Sequence, residues 1–353
     1  MKLEKVKNLM GGERLAKPII LGINQMLVYE GTYLKKEYID KLIELGIEEV
    51  YIHEGDIINE KPDVIIKEEV RSECKKKVKN VLEQHIYKDN AGLSEISKTI
   101  EKLIENILEK EEVVEKVFEI REHSADIYDH CVNVCVLSIL TSIKMNLPQN
   151  IIYDIGVGSL IHDLGLRYIS VKYTDISIDT LSPDNLFEYK KHTVYGFSSV
   201  EKESWMSDIA KKVLLFHHER LDGSGFPLKL KNISMENRIV AVCDTFDELI
   251  SGIGCERVKV QEAIEYLKTY RNIYFDGKVI DIFLDFIATY PSGTKVRTNE
   301  GEIGMVIGQN EHFTERPILR MLFNQEGIAY KEKVIINLVE VHHIFIEKVI
   351  YGD

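Results

Sequence analysis

Histidines and aspartates recur through the middle of the sequence in a pattern that suits metal binding. Two adjacent pairs, His162-Asp163 and His217-His218, each follow an apolar run. The seven candidate ligands are His130, His162, Asp163, His192, His217, His218 and Asp244. Imidazole nitrogens and carboxylate oxygens are the usual ligands of borderline divalent metals such as iron, manganese and zinc. Because buried imidazoles and carboxylates must be paired or coordinated, the pattern predicts one buried centre with two divalent ions.

A carboxylate that bridges the two ions is a common solution in such centres, and we expect Asp163 to be the bridge. One ion would then be completed by His130, His162 and Asp244, and the other by His192, His217 and His218. Two ions about 3.5–4 Å apart suit phosphate-ester hydrolysis, because they lower the pKa of a shared water and neutralise charge on the phosphoryl oxygens. We therefore assign His162 and Asp163 a catalytic role as well.

A glycine-rich loop follows the second histidine pair, in the sequence Asp222-Gly223-Ser224-Gly225-Phe226-Pro227. Glycine lets the backbone approach a bound ligand closely, although an ordinary surface turn would also use these residue types. Because the loop adjoins His217-His218-Glu219, we expect Gly223, Ser224 and Gly225 to bind the substrate.

The elements that must position these residues are helices, because apolar residues between 123 and 292 follow helical spacing. The domain is therefore predicted to be all-α. The predicted positions are His130 near the start of a long buried helix, His162-Asp163 at the end of the apolar run 151–161, His192 in a helix over 184–200, His217-His218 after the apolar run 209–216, and Asp244 in a helix over 239–250.

Three other segments flank this domain and make the chain multidomain. Residues 1–58 alternate short strand and helix patterns, which predicts a small α+β module. Residues 59–122 predict a charged helical connector. Its apolar seam could form a homodimer zipper or pack on the next domain; the seam comprises Leu93, Ile96, Ile100, Leu103 and Ile107. Residues 293–353 are rich in short β runs and predict a small β-barrel or curled sheet.

Composition excludes several classes of protein. The chain has 353 residues with 44% hydrophobic content, which is enough for packed cores, and a net charge of −13 that argues against binding polymeric nucleic acid. Its five scattered cysteines contain no CxxC pair and fit free thiols in a reducing cytoplasm. No apolar run reaches the roughly 18 residues of a membrane span. We therefore expect a cytoplasmic protein.

The motifs together resemble the HD-GYP family, a branch of the HD phosphohydrolase superfamily, over roughly residues 115–290. The matching segments are His130, His162-Asp163-Leu164-Gly165, Lys191-His192, His217-His218-Glu219, Asp222-Gly223-Ser224-Gly225-Phe226-Pro227 and Cys243-Asp244-Thr245-Phe246-Asp247. The resemblance implies an all-helical domain with two divalent ions, often iron or manganese. It also implies hydrolysis of cyclic di-GMP to pGpG or GMP, or of another cyclic dinucleotide.

The sequence departs from the family pattern at positions that would face the substrate. Leu166 replaces the lysine of the HDxGK motif, and Phe226 replaces the tyrosine of the GYP motif. The basic stretch after the last ligand retains only Arg257 and Lys259 as candidate phosphate contacts. Asp126 stands where members with a third metal carry a glutamate, so it is either a ligand of a third ion or an acid at a helix N-terminus.

Three functions are compatible with this pattern. The leading hypothesis is a metal-dependent phosphodiesterase that hydrolyses a cyclic dinucleotide, most simply cyclic di-GMP, with a metal-activated hydroxide. The missing lysine favours a second hypothesis, a weak or inactive receptor or adaptor that binds nucleotide or a partner protein. The third is a phosphohydrolase for another nucleotide.

Overall fold

A helical body occupies the middle of the chain, with strands on both sides of it in sequence. The computed structural model describes residues 2–9, 13, 15–21, 25–29, 32, 34, 36–52, 65–84, 94–108, 117–120 and 123–350. Leu93 of the predicted connector seam lies outside the described residues.

The N-terminal module consists of two short antiparallel strand pairs and one helix. Its elements are β1 (Lys2–Lys5), β2 (Ile19–Leu21), β3 (Gln25–Val28), α1 (Lys36–Glu44) and β4 (Glu49–Ile52). Strand β1 pairs with β4, and β2 pairs with β3. A small apolar core that includes Leu15, Leu34 and Leu42 holds the module together. The module therefore combines short strands with a helix, which is what the alternating patterns of residues 1–58 predicted.

The helical body supports the predicted ligands. Its helices are α2 (Glu68–Gln84), α3 (Ser94–Leu108), α4 (Ile127–Lys144), α5 (Gln149–Leu160), α6 (Pro183–Lys190), α7 (His192–Val200), α8 (Asp208–Phe216), α9 (Met235–Ser251), α10 (Val260–Thr269) and α11 (Gly277–Leu284). One continuous apolar core joins α2 to α11 through the central helices α4 and α9. None of the described helices has the length and apolar character needed to cross a membrane.

The single helix predicted over 184–200 is wrong in one respect, because it is two helices. Helix α6 ends at Lys190 and α7 begins at His192, with Lys191 as the junction. The ring Nδ1 of His192 donates a hydrogen bond to the Tyr189 carbonyl at 2.7 Å. The side chain thus satisfies a helix-end carbonyl, which a regular helical periodicity does not reveal.

The apolar seam of the connector packs inside the chain. Ile96, Ile100, Leu103 and Ile107 on α3 are fully buried in the helical core. Gly156 on α5 permits this contact, because a Cβ there would lie 2.9 Å from the Ile100 Cγ2 atom. The described part of this seam is therefore not available as a dimer zipper, and packing on the next domain is the arrangement observed.

The C-terminal sheet is open, so of the two predicted forms, a barrel or a curled sheet, the barrel is wrong. Its strands are β5 (Lys295–Thr298), β6 (Ile303–Gly308), β7 (Ile318–Phe323), β8 (Ala329–Asn337) and β9 (Ile346–Val349). Within residues 295–349 they form an antiparallel sheet in the order β8-β7-β6-β5-β9, and the two edge strands do not pair. Both edges carry exposed charged side chains, which discourage further pairing. Strand β9 was not predicted, because two of its four residues are charged and such residues are uncommon in strands.

The buried seam generates a stability prediction. Replacing Leu103 by alanine should lower the free energy of unfolding by about 2–5 kcal/mol, because the side chain is fully buried and leaves a cavity. Light scattering should give the same molar mass for Leu103→Ala as for the wild type. If the seam were a dimer interface, the variant would dissociate and its molar mass would fall. The exposed neighbour Glu105 provides the control, and Glu105→Ala should leave the denaturation midpoint nearly unchanged.

Candidate metal centre

The structure brings all seven predicted ligands into one buried cluster. Their exposed fractions range from 0 to 6%. Six of them lie at helix ends: His130 in the first turn of α4, His162-Asp163 just after α5, His192 at the start of α7 and His217-His218 just after α8. Asp244 lies in the middle of α9. A polar side chain at a helix end can point into the cleft while the apolar face of that helix stays packed in the core. Several helices can therefore each contribute side chains to one polar cleft.

Two glycines make this convergence sterically possible. A Cβ on Gly165 would lie 1.7 Å from the His192 carbonyl oxygen, so only glycine lets the turn after Asp163 approach α7. A Cβ on Gly225 would lie 2.4 Å from the His218 carbonyl oxygen. The glycine-rich loop therefore packs directly on the backbone of the histidine pair. Glu219 fixes the far side of this loop by accepting hydrogen bonds from the Leu228 and Leu230 amides at 2.8 Å each.

The two carboxylate oxygens of Asp163 face two different sets of imidazoles. Oδ2 lies 3.6 Å from Nε2 of His130 and 3.4 Å from Nε2 of His162. Oδ1 lies 3.5 Å from Nε2 of His192 and 3.7 Å from Nε2 of His217. A carboxylate in this position can bind one cation with each oxygen.

Asp244 has a similar two-sided arrangement. Its Oδ1 lies 3.2 Å from Nε2 of both His130 and His162. Its Oδ2 lies 3.7 Å from Nδ1 of His218. Both oxygens are buried and accept no hydrogen bond from any residue that the structure describes. A buried carboxylate that accepts no hydrogen bond costs several kcal/mol unless a positive charge lies beside it, so this group requires such a charge.

The histidine tautomers explain why that charge should be a metal cation. Nδ1 of His162, His192 and His217 each faces a backbone carbonyl, at 2.7, 2.7 and 3.1 Å, and can only donate to it. Nδ1 of His130 likewise donates to Oδ2 of Asp247 at 2.8 Å. In a neutral imidazole the remaining Nε2 is then an unprotonated lone pair.

These lone pairs point at one another. The Nε2 atoms of His130 and His162 are 3.2 Å apart, and those of His192 and His217 are 3.3 Å apart. Two imidazole lone pairs repel at this distance unless a cation or a proton lies between them. The donor set of imidazole nitrogens and carboxylate oxygens therefore fits divalent metals, and a backbone or carboxylate acceptor on the second nitrogen is the usual support for a metal-binding histidine.

The electrostatics of the cluster agree with this donor set. Burial lowers the pKa of His192 to about 4, so its imidazole is neutral and able to bind a metal. Burial opposes charge on His130 as well, but the carboxylates of Asp244 and Asp247 outweigh it and raise the pKa to about 10. Without a cation, protons must therefore supply the positive charge that the two aspartates require.

Three groups of side chains place their ligand atoms within 4.8 Å of one another. These groups are Asp163 with His192, His217 and His218; His130 with His162 and Asp244; and His218 with Asp244 and Glu248. The first two match the division that the sequence predicted, with Asp163 between them. Among the described residues, Asp126 belongs to no such group.

Asp126 instead begins helix α4. Its carboxylate accepts hydrogen bonds from the Tyr128 and Asp129 amides at 2.9 and 3.3 Å. It also pairs with Lys75 of α2 at 2.9 Å. Of the two predicted roles, ligand of a third ion or acid at a helix N-terminus, the observed contacts are those of the second.

Several residues around the cluster were missed by sequence reasoning. Asp247 holds His130 and also binds Nε2 of His123 at 3.1 Å. The Arg220 guanidinium donates to the His217 carbonyl at 3.1 Å and to Oγ1 of Thr245 at 3.0 Å, which ties the histidine pair to α9. The spacing of three residues between Asp244 and Asp247 was the signal available, because it places both on one face of α9.

Three of the predicted substrate-binding residues, Ser224, Arg257 and Lys259, make contacts within the protein. Ser224 donates to Oδ1 of Asp222 from both its amide and its hydroxyl, which is a local turn. The Arg257 guanidinium binds the Glu49 carboxylate of β4, with one contact at 2.9 Å, and the His123 carbonyl at 3.1 Å. Lys259 is exposed and caps α10.

The position of the absent lysine offers no replacement cation. Leu166 is buried, with 3% of its surface exposed. The adjacent Arg167 turns toward the connector and donates to the Val81 carbonyl at 2.9 Å. Another cation lies near the cluster: Nζ of Lys190 is 5.4 Å from the centre of the Phe226 ring. That ring lies 4.6 Å from the imidazole of His218.

Comparison with known proteins agrees with this geometry. A family model described as an HD domain matches residues 102–279, half of the chain. The chain belongs to the HD domain family. A second model, described as a KOW domain associated with HD domain, matches residues 295–353, which include the open sheet. The curated relatives confirm the resemblance to the HD-GYP branch of this family.

These relatives are similar to the chain over part of their length. The cyclic di-GMP phosphodiesterase PA4108 of Pseudomonas aeruginosa is 28% identical over 200 residues, which cover 56% of this chain and 48% of that protein. A cyclic di-GMP phosphodiesterase of Thermotoga maritima is 28% identical over 213 residues, 57% of each chain. This HD chain thus spans about half the length of these relatives.

One solved structure is also similar. It is Bd1817, described as a HDG"Y"P protein from Bdellovibrio bacteriovorus, with 18% identity and a TM-score of 0.48 over 80% of this chain and 97% of that chain.

The position of Asp163 between two imidazole sets predicts the effect of removing it. Asp163→Ala should lower the metal bound per chain by two ions, because both sets lose their shared carboxylate. Elemental analysis of manganese-loaded protein measures this, with Asp184→Ala on the exposed face of α6 as the control. A full metal content in Asp163→Ala would refute the bridging role.

Proposed function

We propose that this protein is a metal-dependent phosphodiesterase that hydrolyses a cyclic dinucleotide, with cyclic di-GMP as the first candidate, to a linear product such as pGpG or GMP. The observation that carries the proposal is the placement of Asp163, whose two oxygens each face a separate pair of imidazole lone pairs. Support also comes from relatives that are named cyclic di-GMP phosphodiesterases.

We propose His130, His162, Asp163 and Asp244 as ligands of one ion, and Asp163, His192, His217 and His218 as ligands of the other. Two bound divalent cations, iron or manganese, would make water nucleophilic near neutral pH and stabilise charge on the phosphoryl oxygens. The formal charge of the chain does not oppose an anionic substrate, because two divalent cations more than neutralise Asp163 and Asp244.

The chain's own residues then hold the reacting parts in place. Asp247 and three backbone carbonyls fix the Nδ1 atoms of four histidines, His130, His162, His192 and His217, so that the Nε2 atom of each remains directed at the cleft. The apolar core behind the cluster keeps bulk water away from the buried ligands. Preorganised ligands of this kind need no rearrangement as charge develops in the transition state.

Substrate recognition would involve the face that carries Phe226 and Lys190. The Phe226 ring offers a flat apolar surface beside His218, on which a base or ribose could pack. The Lys190 ammonium above that ring is suited to a phosphate oxygen. Gly223, Ser224 and Gly225 are proposed to shape this face through the loop that packs on His218. Arg257 and Lys259 remain candidates for secondary phosphate contacts.

The decisive experiment is turnover by metal-loaded protein. The protein should be purified without oxygen, loaded with iron or manganese, and incubated with cyclic di-GMP and other cyclic dinucleotides. Chromatography should show a linear product that the Asp163→Ala variant does not form. Complete metal loading with no product from any cyclic dinucleotide would reject the proposal.

A receptor or adaptor without turnover is the second candidate, and one contact favours it. Glu49 of the N-terminal module binds the guanidinium of Arg257. This contact occupies a cation that was a candidate for binding a substrate phosphate. Calorimetry distinguishes the two functions. Micromolar binding of cyclic di-GMP that leaves the ligand intact indicates a receptor, whereas recovery of linear product indicates the enzyme.

Lys190 provides a prediction about substrate binding. Lys190→Ala should raise KM about tenfold or more with little change in kcat, because a lost hydrogen bond to a charged group costs about 1.5–3 kcal/mol. Lys191→Ala is the matched control, since Lys191 pairs with Glu188 at 2.9 Å and lies over Phe187. Equal KM values for the two variants would exclude a phosphate contact by Lys190.

A further inference from the structure

One histidine outside the set of candidate ligands contacts the cluster through another side chain. Nε2 of His123 donates to Oδ1 of Asp247 at 3.1 Å, and Oδ2 of Asp247 accepts from Nδ1 of His130 at 2.8 Å. The Asn133 side chain lies 3.0 Å from the same nitrogen of His123 and helps to confine the ring. His123 therefore holds one oxygen of the carboxylate whose other oxygen orients a candidate ligand.

The Asp247 carboxylate is fully buried, so the loss of a donor at either oxygen has a structural consequence. Without the His123 ring, Oδ1 would lose the donor that it now has in a site with no exposure to water. The carboxylate could then turn away from His130. Because Asp247 fixes Nδ1 of His130, such a rotation would also release the direction of Nε2, the atom that faces the cleft.

The backbone of His123 is fixed by contacts with other parts of the chain, because residues 123–126 form neither helix nor strand. Its amide donates to the Ile250 carbonyl of α9 at 3.3 Å, and its carbonyl accepts from the Arg257 guanidinium at 3.1 Å. The same guanidinium donates from both terminal nitrogens to the two carboxylate oxygens of Glu49 on β4. A paired, two-point contact of this kind fixes the orientation of an arginine as well as its charge.

We infer that His123 is a positioning residue for the ion proposed beside His130, and that the N-terminal module fixes His123 through the pair of Glu49 and Arg257. The inference rests on the di-metal centre proposed above. It gives the N-terminal module a role in that centre, because a movement that draws Glu49 away from Arg257 would loosen the contact at the His123 carbonyl. One ion would then be bound less tightly.

The other proposed ion provides an internal reference. Nδ1 of His192 and Nδ1 of His217 each bind a backbone carbonyl of a neighbouring helix and not a side chain. The series of contacts that begins at Glu49 reaches the cluster at His130. A loss of His123 should therefore weaken one ion selectively, whereas a general loss of stability would weaken both.

Manganese binding at equilibrium tests the inference without relying on turnover. Dialysis of the whole protein against increasing manganese concentrations should give a dissociation constant for each of two ions. In His123→Ala, one constant should rise about tenfold or more while the other stays within about twofold of the wild-type value. His123→Gln should restore both constants, because the glutamine Nε2 can also donate to Asp247. His343→Ala, which removes an exposed ring, is the matched control.

A double-variant cycle tests the part that the N-terminal module plays. Glu49→Ala should raise the same dissociation constant by a smaller factor, whereas Glu48→Ala, at the exposed neighbouring position, should leave both constants unchanged. Adding Glu49→Ala to His123→Ala should cause no further loss, because Glu49 is inferred to act on the ion only through His123. Thermal unfolding without metal should show that all of these variants are folded.

Three results would contradict the inference. Manganese constants in His123→Ala equal to those of the wild type would overturn it, and so would equal weakening of both ions without rescue by His123→Gln. Additive losses in the double variant would show that Glu49 does not act through His123. All three would leave the phosphodiesterase proposal intact, because product formation tests that proposal separately. A wild-type protein that binds no manganese would instead contradict both.

Discussion

Convergence of imidazole lone pairs and carboxylates in a cleft with almost no solvent exposure is the interaction on which this structure depends. Four histidines use Nδ1 to bind the protein and present Nε2 to the cleft, where pairs of these atoms lie 3.2 and 3.3 Å apart. Asp163 and Asp244 add negative charge at the same point. Such an arrangement is stable only with positive charge inside it, and cations meet that requirement while leaving the histidines neutral.

The helical body is organised to permit this convergence. Large apolar surfaces join α4, α5, α8 and α9, and their burial stabilises the framework against the cost of the polar cluster. The candidate ligands come mainly from helix ends, where the carbonyls of the last helical turn lie within reach of Nδ1. Gly165 and Gly225 then allow backbone segments to lie against His192 and His218. Helix ends and close-packed glycines thus allow both the burial of the apolar helix faces and the convergence of the polar side chains.

The positions at which the sequence departs from the HD-GYP pattern are occupied by contacts within the protein. Leu166 is buried, and Arg257 binds Glu49 of the N-terminal module. The same arginine contacts the carbonyl of His123, whose ring reaches Asp247 and, through it, His130. A continuous series of contacts therefore runs from Glu49 in the N-terminal module to His130, a predicted metal ligand. The C-terminal sheet, which matches a KOW domain associated with HD domain, has no described role in holding the cluster.

The sequence by itself indicated the candidate ligand residues, most of the helices that carry them and the family. These features depend on residue identity and on apolar spacing within one segment, which are local properties. Tertiary structure alone decided that Asp126 caps a helix, that Arg257 meets Glu49, that the β sheet stays open and that Glu248 reaches His218. Each of these depends on contacts between residues far apart in the chain, and packing of whole elements sets their distances and angles. Periodicity places a side chain on a face, but the neighbouring element decides what that face meets.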